Sequence, residues 1–125
     1  DTGLAAYLSM WLTPEVLMQG AASGHYYENY VVMELVKADA YASAKANLTY
    51  YRDANAKEID LFVEENDTIH PLEIKKSANP DFREVKKFAV LDKALLKRGN
   101  GGIVCMCKDP LPIDSENCII PSNLL

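Results

Sequence analysis

The stretch that decides the fold is residues 58–75, which read EIDLFVEENDTIHPLEIK. On each side of Asn66-Asp67, apolar residues alternate with polar ones, which is the pattern of a strand with two different faces. Asn and Asp tolerate the left-handed backbone that a tight hairpin turn requires. The stretch therefore predicts two antiparallel strands, over 58–64 and 69–75, joined by a two-residue turn.

The register of this hairpin follows from its loop length. A two-residue loop places Asp60 opposite Glu73 and Glu58 opposite Lys75. Because side chains alternate with a period of two, these four residues share one face. The other face is predicted to pack on the core, and it carries Ile59, Leu61, Val63, Leu72 and Ile74.

The shared face groups side chains that can carry chemistry. Facing carboxylates at about 5 Å between Cβ atoms repel unless a cation, a proton or a lysine lies between them. With Lys75 beside them, Asp60 and Glu73 can bind a hard divalent ion such as Mg²⁺ or Mn²⁺. The lysine can then hold or deprotonate an attacking water, or offset the charge of a phosphate. The alternative is an ordinary solvent-exposed sheet face with stabilising Glu–Lys pairs.

Further elements are predicted on both sides of the hairpin. Apolar spacing favours a helix over 23–45 and a helix over 79–99, the latter with Asn79 as N-cap, Pro80 at its first position and Gly99 after its end. Strands are predicted over 48–52 and 103–107, and an edge strand over 118–121. The order helix, three strands, helix, strand predicts an α/β fold with a mixed sheet flanked by helices.

The N-terminal residues form a segment of their own. Residues 4–18 are apolar and predict a helix, with Thr13-Pro14-Glu15 as a helix-start signal. The chain begins with Asp1 instead of Met. We therefore expect 1–22 to link a domain over 23–125 to an upstream region.

The composition bounds the classes of function. Of the 125 residues, 49% are hydrophobic and 25% charged, as in a soluble globular domain. No apolar run reaches the roughly 20 residues of a membrane span, and no secretory signal is visible, so we expect a cytoplasmic protein without a membrane partner. The net charge of −5 argues against tight, non-specific nucleic-acid binding.

Asp60, followed twelve residues later by Glu73-Ile74-Lys75, resembles the PD-(D/E)XK motif of restriction-endonuclease-like nucleases. Leu72 completes the apolar-Glu-apolar-Lys pattern of that motif, and the predicted order of elements is similar to the αβββαβ core of these nucleases. The resemblance implies such a core over 23–107.

A closer resemblance covers nearly the whole chain. It rests on Asp1-Thr-Gly-Leu4, Gly24-x-x-x-Glu28-Asn-Tyr-Val-Val, Tyr50-Tyr-Arg-Asp53, Lys57-Glu-Ile-Asp60 and Pro71-Leu-Glu-Ile-Lys-Lys-Ser77. Together these resemble the uncharacterised C-terminal domain that follows an AAA+-type ATPase core in many prokaryotic proteins. The resemblance implies Mg-dependent hydrolysis of DNA phosphodiester bonds beside an upstream ATPase domain, and a homo-oligomer is compatible with it. The rival function is a catalytically silent nucleic-acid-binding or regulatory module of that ATPase.

The resemblance also implies roles for single residues. Asp60 and Glu73 match the metal-binding carboxylates, and Lys75 matches the catalytic lysine. Glu28 matches an acidic residue that these nucleases often place on the first helix. Two alternatives stay open for this position: Glu28 is a solvated or dipole-favoured helix residue, or Glu34 on the same helix takes the role.

Basic residues supply candidate contacts to a nucleic-acid backbone. Arg52 matches the resemblance, as does Glu58, and a supporting role such as phosphate contact or charge balance is expected for both. Lys76, Lys86 and Lys87, with Lys93, are expected to form a locally positive rim on the helix after the triad strand. The alternative is an ordinary solvated helix face.

Overall fold

The protein is built around one mixed β-sheet with helices on both faces. A computed structural model describes residues 1–43, 45–54 and 56–125. In that part of the chain, the helices are α1 (Thr2–Leu8), α2 (Pro14–Gln19), α3 (Ser23–Tyr41), a long 3₁₀ helix (Phe82–Lys93) and a terminal 3₁₀ turn (Ser122–Leu124). The strands are β1 (Asn47–Arg52), β2 (Glu58–Glu65), β3 (Thr68–Lys75), β4 (Lys97–Arg98), β5 (Gly101–Cys105), β6 (Leu111–Pro112) and β7 (Asn117–Pro121).

The sheet combines an antiparallel part with a parallel part. The strand order is β1-β2-β3-β5-β7-β6, and β4 pairs beside β3. Strands β1, β2 and β3 run antiparallel, whereas β3, β5 and β7 run parallel. The predicted α/β fold with a mixed sheet is confirmed, as is the order α3, three strands, helix, strand.

The central hairpin has the predicted turn and register close to its loop. Asn66 and Asp67 have φ angles of 50° and 59°, which are the positive values of a tight hairpin turn. The pairs that follow, ending with Leu61 opposite Leu72, have the predicted register. Beyond Leu61 the strand departs from it.

A bulge in β2 causes this departure. Thr49 pairs with Phe62 and Tyr51 pairs with Ile59, so β2 carries one residue more than β1 between these two pairs. An extra residue reverses the facing of the side chains beyond it. Ile59 therefore packs in the same cluster as Phe62, whereas Leu61 packs on the opposite face. The prediction that Ile59 shares a face with Leu61 is wrong.

Apolar side chains cover both faces of the sheet. The face toward α3 buries Tyr27, Val31, Leu61, Leu72, Ile74 and Val104. The face toward the long 3₁₀ helix buries Phe62, Val85, Phe88, Leu91, Ile103 and Ile119, among others. Both faces of the hairpin are therefore internal, including the one that carries Glu73.

The helix predicted over 79–99 is shorter, and both of its predicted ends are wrong. It begins after Asp81, whose carboxylate accepts a hydrogen bond of 2.9 Å from the Arg83 N–H. Asn79 therefore lies outside it. The helix ends at Lys93, and the predicted last turn instead forms β4, which gains hydrogen-bonded pairing with β3.

Other boundaries also differ from the predictions. The helix predicted over 4–18 is divided into α1 and α2, and Met10 between them has a φ of 63°, which a continuous helix excludes. Thr13 caps α2 as predicted. Helix α3 ends at Tyr41 instead of 45, because Ala42 is extended, and position 44 lies outside the described residues.

The last two predicted strands also need correction. The strand predicted over 103–107 is β5, which begins and ends two residues earlier. The strand predicted as an edge over 118–121 is β7, which lies between β5 and β6. Across the described ranges, no helix is both long and apolar enough to cross a membrane.

Candidate functional site

The candidate site lies where β2 and β3 stop pairing. The ladder between them ends at Leu61 and Leu72, and the carboxylate of Asp60 accepts a hydrogen bond of 2.7 Å from the Ile74 N–H. The prediction that Asp60 lies directly opposite Glu73 on one face of the hairpin is wrong. The bulge shifts Asp60 out of the ladder, and Asp60 lines a cavity with Glu28 of α3, whereas Glu73 contacts Lys87 of the 3₁₀ helix. The backbone of β3 instead holds the Asp60 carboxylate at the opening between the two strands.

Glu73 is a fully buried carboxylate, with 0% of its side chain exposed. Its Oε2 accepts hydrogen bonds from Lys75 Nζ at 2.8 Å and from Lys87 Nζ at 3.0 Å. Its Oε1 is also buried, and with Glu73 ionised this oxygen has no hydrogen-bond partner among the described residues. When Glu73 is protonated, it can share its proton with the neighbouring Glu84 carboxylate, an interaction that lowers the pKa of Glu84. Burial raises the pKa of Glu73 and Asp60 adds to the rise, while the two ammonium groups oppose it. An acceptor is therefore left over inside the protein.

Lys75 lies among three carboxylates. Its Nζ is 2.8 Å from Glu73 Oε2, 3.7 Å from Asp60 Oδ2 and 3.6 Å from Glu84 Oε2. Burial acts to lower the pKa of Lys75, but Glu73 and Asp60 outweigh it and leave this pKa above its ordinary value. The structure thus brings Asp60, Glu73 and Lys75 together. For Glu73, the alternative of a solvent-exposed sheet face is wrong.

Glu84 and the site position of Lys87 were not predicted. Lys87 Nζ is 2.6 Å from Glu84 Oε2 and also contacts Glu73. A 3₁₀ helix has three residues per turn, so residues three apart form a row. Val85 and Phe88 belong to the row that packs on the sheet, and Glu84 and Lys87 form the adjacent row. The three-residue spacing of that pair, next to a buried row, is the signal that could have found them.

Glu28 reaches the site from α3. It is half-exposed, and burial, together with the Asp60 carboxylate, raises its pKa. It follows Ser23 by five residues, which is beyond the first turn where the helix dipole favours acids. Glu34 forms an ion pair of 2.7 Å with Lys37 on the surface, so Glu28 is the acid that α3 brings to Asp60.

Two cavities meet at Asp60 and Glu28. One, of about 270 Å³, is also lined by Ile74 and Lys75. The other, of about 210 Å³, lies toward β1 and is lined by Tyr50 and Arg52, among others. The carboxylates are therefore accessible from two sides.

The candidate nucleic-acid contacts do not form one exposed rim. Arg52 forms an ion pair of 3.0 Å with Glu58 across β1 and β2. The prediction that Glu58 lies opposite Lys75 is wrong, because the pairing of β2 with β3 ends at Leu61 and Leu72. Lys76 donates hydrogen bonds to oxygens at the end of α2 and the start of α3. Lys86 is exposed, but it lies on a different row of the 3₁₀ helix from Lys87, which points into the site.

The donor set fits Mg²⁺ in one respect. The carboxylate oxygens of Asp60 and Glu73 are hard ligands, and Mg²⁺ often takes one or two carboxylates and completes its shell with water. Within the ranges that the structure describes, no group of three or more His, Cys, Asp or Glu residues is arranged to hold a metal. A bound Mg²⁺ would thus depend on Asp60, Glu73 and solvent.

Comparisons with known proteins give a family without a known reaction. No curated protein and no solved structure matches the chain. A family model described as "Domain of unknown function (DUF4143)" matches residues 23–125, which is most of the sequence. The chain therefore belongs to the DUF4143 family.

Proposed function

We propose that this domain hydrolyses DNA phosphodiester bonds with Mg²⁺, for which Mn²⁺ can substitute, at a site that resembles restriction-endonuclease-like nucleases. The observation that carries the proposal is the fully buried Glu73, next to Asp60 and Lys75, with one oxygen that no described residue contacts through a hydrogen bond when Glu73 is ionised. Leaving a buried acceptor unsatisfied costs about 1–3 kcal/mol. A metal ion that binds this oxygen would remove that cost, which explains why a buried carboxylate oxygen stands free at this position.

In this proposal Asp60 and Glu73 hold the metal. The ion, when bound, polarises a phosphoryl oxygen and lowers the pKa of water. Lys75 has a raised pKa and is an ammonium in the metal-free protein. Its Nζ therefore donates hydrogen bonds to an attacking water or a phosphoryl oxygen and offsets negative charge, and it does not act as a base in that state.

Glu28 is proposed to orient a water. Its carboxylate is partly desolvated and lies near Asp60, and both of these raise its pKa. The cavity of about 270 Å³ that Glu28 and Asp60 line also reaches Lys75, so a water between them can accept from the lysine and donate to Glu28.

The proposed place of the domain is beside an AAA+-type ATPase core in a cytoplasmic protein. The support is the resemblance of the five sequence motifs. Cleavage assays on a chain that includes the upstream region, with and without ATP, test this placement. A rate that ignores ATP would count against coupling to an ATPase.

A second function is supported by a specific observation. Lys75 and Lys87 both donate to Glu73 Oε2, so two internal cations already provide much of the charge that a metal would supply. A catalytically silent nucleic-acid-binding or regulatory module would need nothing more. The net charge of −5 is also unfavourable for tight DNA binding, which the proposed hydrolysis requires.

Cleavage and metal binding separate the two functions. Wild type should cut DNA in Mg²⁺ or Mn²⁺ and not in EDTA. Asp60→Asn, Glu73→Gln and Lys75→Ala should each lower the rate by about 100-fold or more, while the surface variant Glu34→Gln should match wild type. Mg²⁺ should raise the melting midpoint of wild type, because a ligand of the folded state stabilises it. No cleavage, and a midpoint that ignores millimolar Mg²⁺ and Mn²⁺, would favour the silent module.

A further inference from the structure

An exposed aromatic ring lies on the strand beside the site. Tyr50 in β1 is 77% exposed. Its neighbour Tyr51 faces the other way and packs on Phe62 in the core, with ring centroids 5.9 Å apart. Tyr50 thus contributes little to the core, although its strand β1 is paired with β2.

The bulge in β2 brings this ring next to the site. Between the pairs of Thr49 with Phe62 and Tyr51 with Ile59, Tyr50 lies beside the extra residue of β2, next to Asp60. Adjacent strands are about 4.8 Å apart. Tyr50 shares its strand face with Leu48. Leu48 packs in the cluster beneath α3, whereas Tyr50 remains exposed to solvent.

Arg52 adds a cation to the same surface. Tyr50, Arg52, Glu28 and Asp60 line the cavity of about 210 Å³. The Arg52 side chain is 63% exposed, and its guanidinium pairs with an exposed Glu58. Exposed ion pairs are weak, so a phosphate can displace this carboxylate or share the guanidinium with it.

We propose that Tyr50 and Arg52 form a platform for an unpaired DNA nucleotide next to the site. The base stacks on the Tyr50 ring, and the neighbouring phosphate contacts Arg52, which directs the backbone toward Asp60. Every base has a π-face, so the platform binds without sequence preference. A duplex keeps its base faces stacked on each other and cannot use it. The substrate is therefore single-stranded DNA or a frayed end.

The platform also suits an acidic protein. Stacking needs few phosphate contacts, and the salt dependence of binding scales with the number of such contacts. We expect single-strand binding to weaken only slightly with salt. The role of the bound strand as substrate rests on the proposed function, but its binding does not.

Binding and cleavage are measured separately to test the platform. Anisotropy of labelled oligothymidylate and of a duplex of equal length is measured in Ca²⁺, which takes the same oxygen ligands. Tyr50→Ala should weaken single-strand binding about tenfold or more, because the stacked ring is lost. Tyr50→Phe keeps the ring and should bind within about twofold of wild type. Tyr41→Ala is the control, since this tyrosine is 90% exposed at the end of α3.

The outcomes distinguish the platform from the catalytic proposal. Equal affinity for duplex and single strand, or unchanged binding by Tyr50→Ala, would overturn the platform even if Asp60-dependent cleavage is observed. Loss of single-strand binding in Tyr50→Ala would support it. That result, combined with no cleavage by wild type in Mg²⁺, would leave the platform in place and overturn only the proposed hydrolysis.

Discussion

Replacing Glu73 by Gln in the metal-free protein should destabilise the fold. The carboxylate is fully buried, and its Oε2 receives both Lys75 and Lys87. An amide keeps the shape of the side chain and one acceptor, but it removes the charge that holds two ammonium groups together. On sequence alone, two facing carboxylates would repel and the same change would relieve strain. The lysines in the structure reverse that expectation.

The size of the effect follows from opposing contributions. Each hydrogen bond to a charged group is worth about 1.5–3 kcal/mol, and removing one partner of a buried ion pair costs about 3–5 kcal/mol. Against this, Lys75 and Lys87 are about one-third exposed and can regain water, and Gln carries no desolvated charge. Burial raises the pKa of Glu73, so Gln also avoids a cost of ionisation above that pKa. Because Gln offers Lys75 and Lys87 one neutral oxygen where a carboxylate received both, we expect the lost hydrogen bonds to outweigh that gain and the free energy of unfolding to fall by about 2 kcal/mol.

Urea denaturation in EDTA measures this difference. A loss of about 2 kcal/mol lowers the urea midpoint by about 1 M for a protein of this size. Glu34→Gln is the matched control, because it removes the carboxylate of a surface ion pair of 2.7 Å with Lys37 and should shift the urea midpoint far less than Glu73→Gln does. Equal midpoints for Glu73→Gln and wild type would refute the view that Glu73 organises the two lysines.

Other changes test the surroundings of the site. Lys87→Met should tighten Mn²⁺ binding about tenfold, equivalent to about 1.4 kcal/mol, because a competing cation is lost; calorimetry with Lys86→Met as control checks this, and weaker binding would contradict it. Glu28 has a raised pKa, so its ionisation disfavours the fold above that pKa. Glu28→Gln should therefore be more stable than wild type at pH 7 in EDTA. This difference in stability should vanish as the pH falls through the raised pKa toward 4.5 and below. A difference that stays constant with pH would refute the role of Glu28 ionisation. Lys76→Met should lower stability by about 1 kcal/mol and speed proteolysis near α2, whereas the exposed Lys93→Met should do neither.

The sequence was informative where local rules act alone. Asn66 and Asp67 have few alternatives to a tight turn, and the turn sets the register up to Leu61. The bulge at Asp60 could not be deduced, because the alternation of polar and apolar residues continues through it. Ile59 is apolar and would suit either face, so its reversal leaves no trace in the sequence.

The helix after β3 shows a different limit. Val85 and Phe88 are three residues apart, and this spacing fits a 3₁₀ helix as well as one face of an α-helix. The choice decides which lysine enters the site. With three residues per turn, Lys87 joins the row of Glu84 and points to the site, and Lys86 lies on another row. Propensity rules do not separate these neighbours.

The carboxylates and lysines of the site do not balance in charge. When ionised, the carboxylates of Glu28, Asp60, Glu73 and Glu84 exceed the ammonium groups of Lys75 and Lys87 by two negative charges. The raised pKa values of Glu28 and Glu73 are the expected consequence of burial together with this excess. One divalent cation would balance it, whereas a third lysine would not. A binding module with complete ion pairs would need neither this imbalance nor a buried Glu73 Oε1 without a partner among the described residues, and both features therefore support the proposed metal-dependent function.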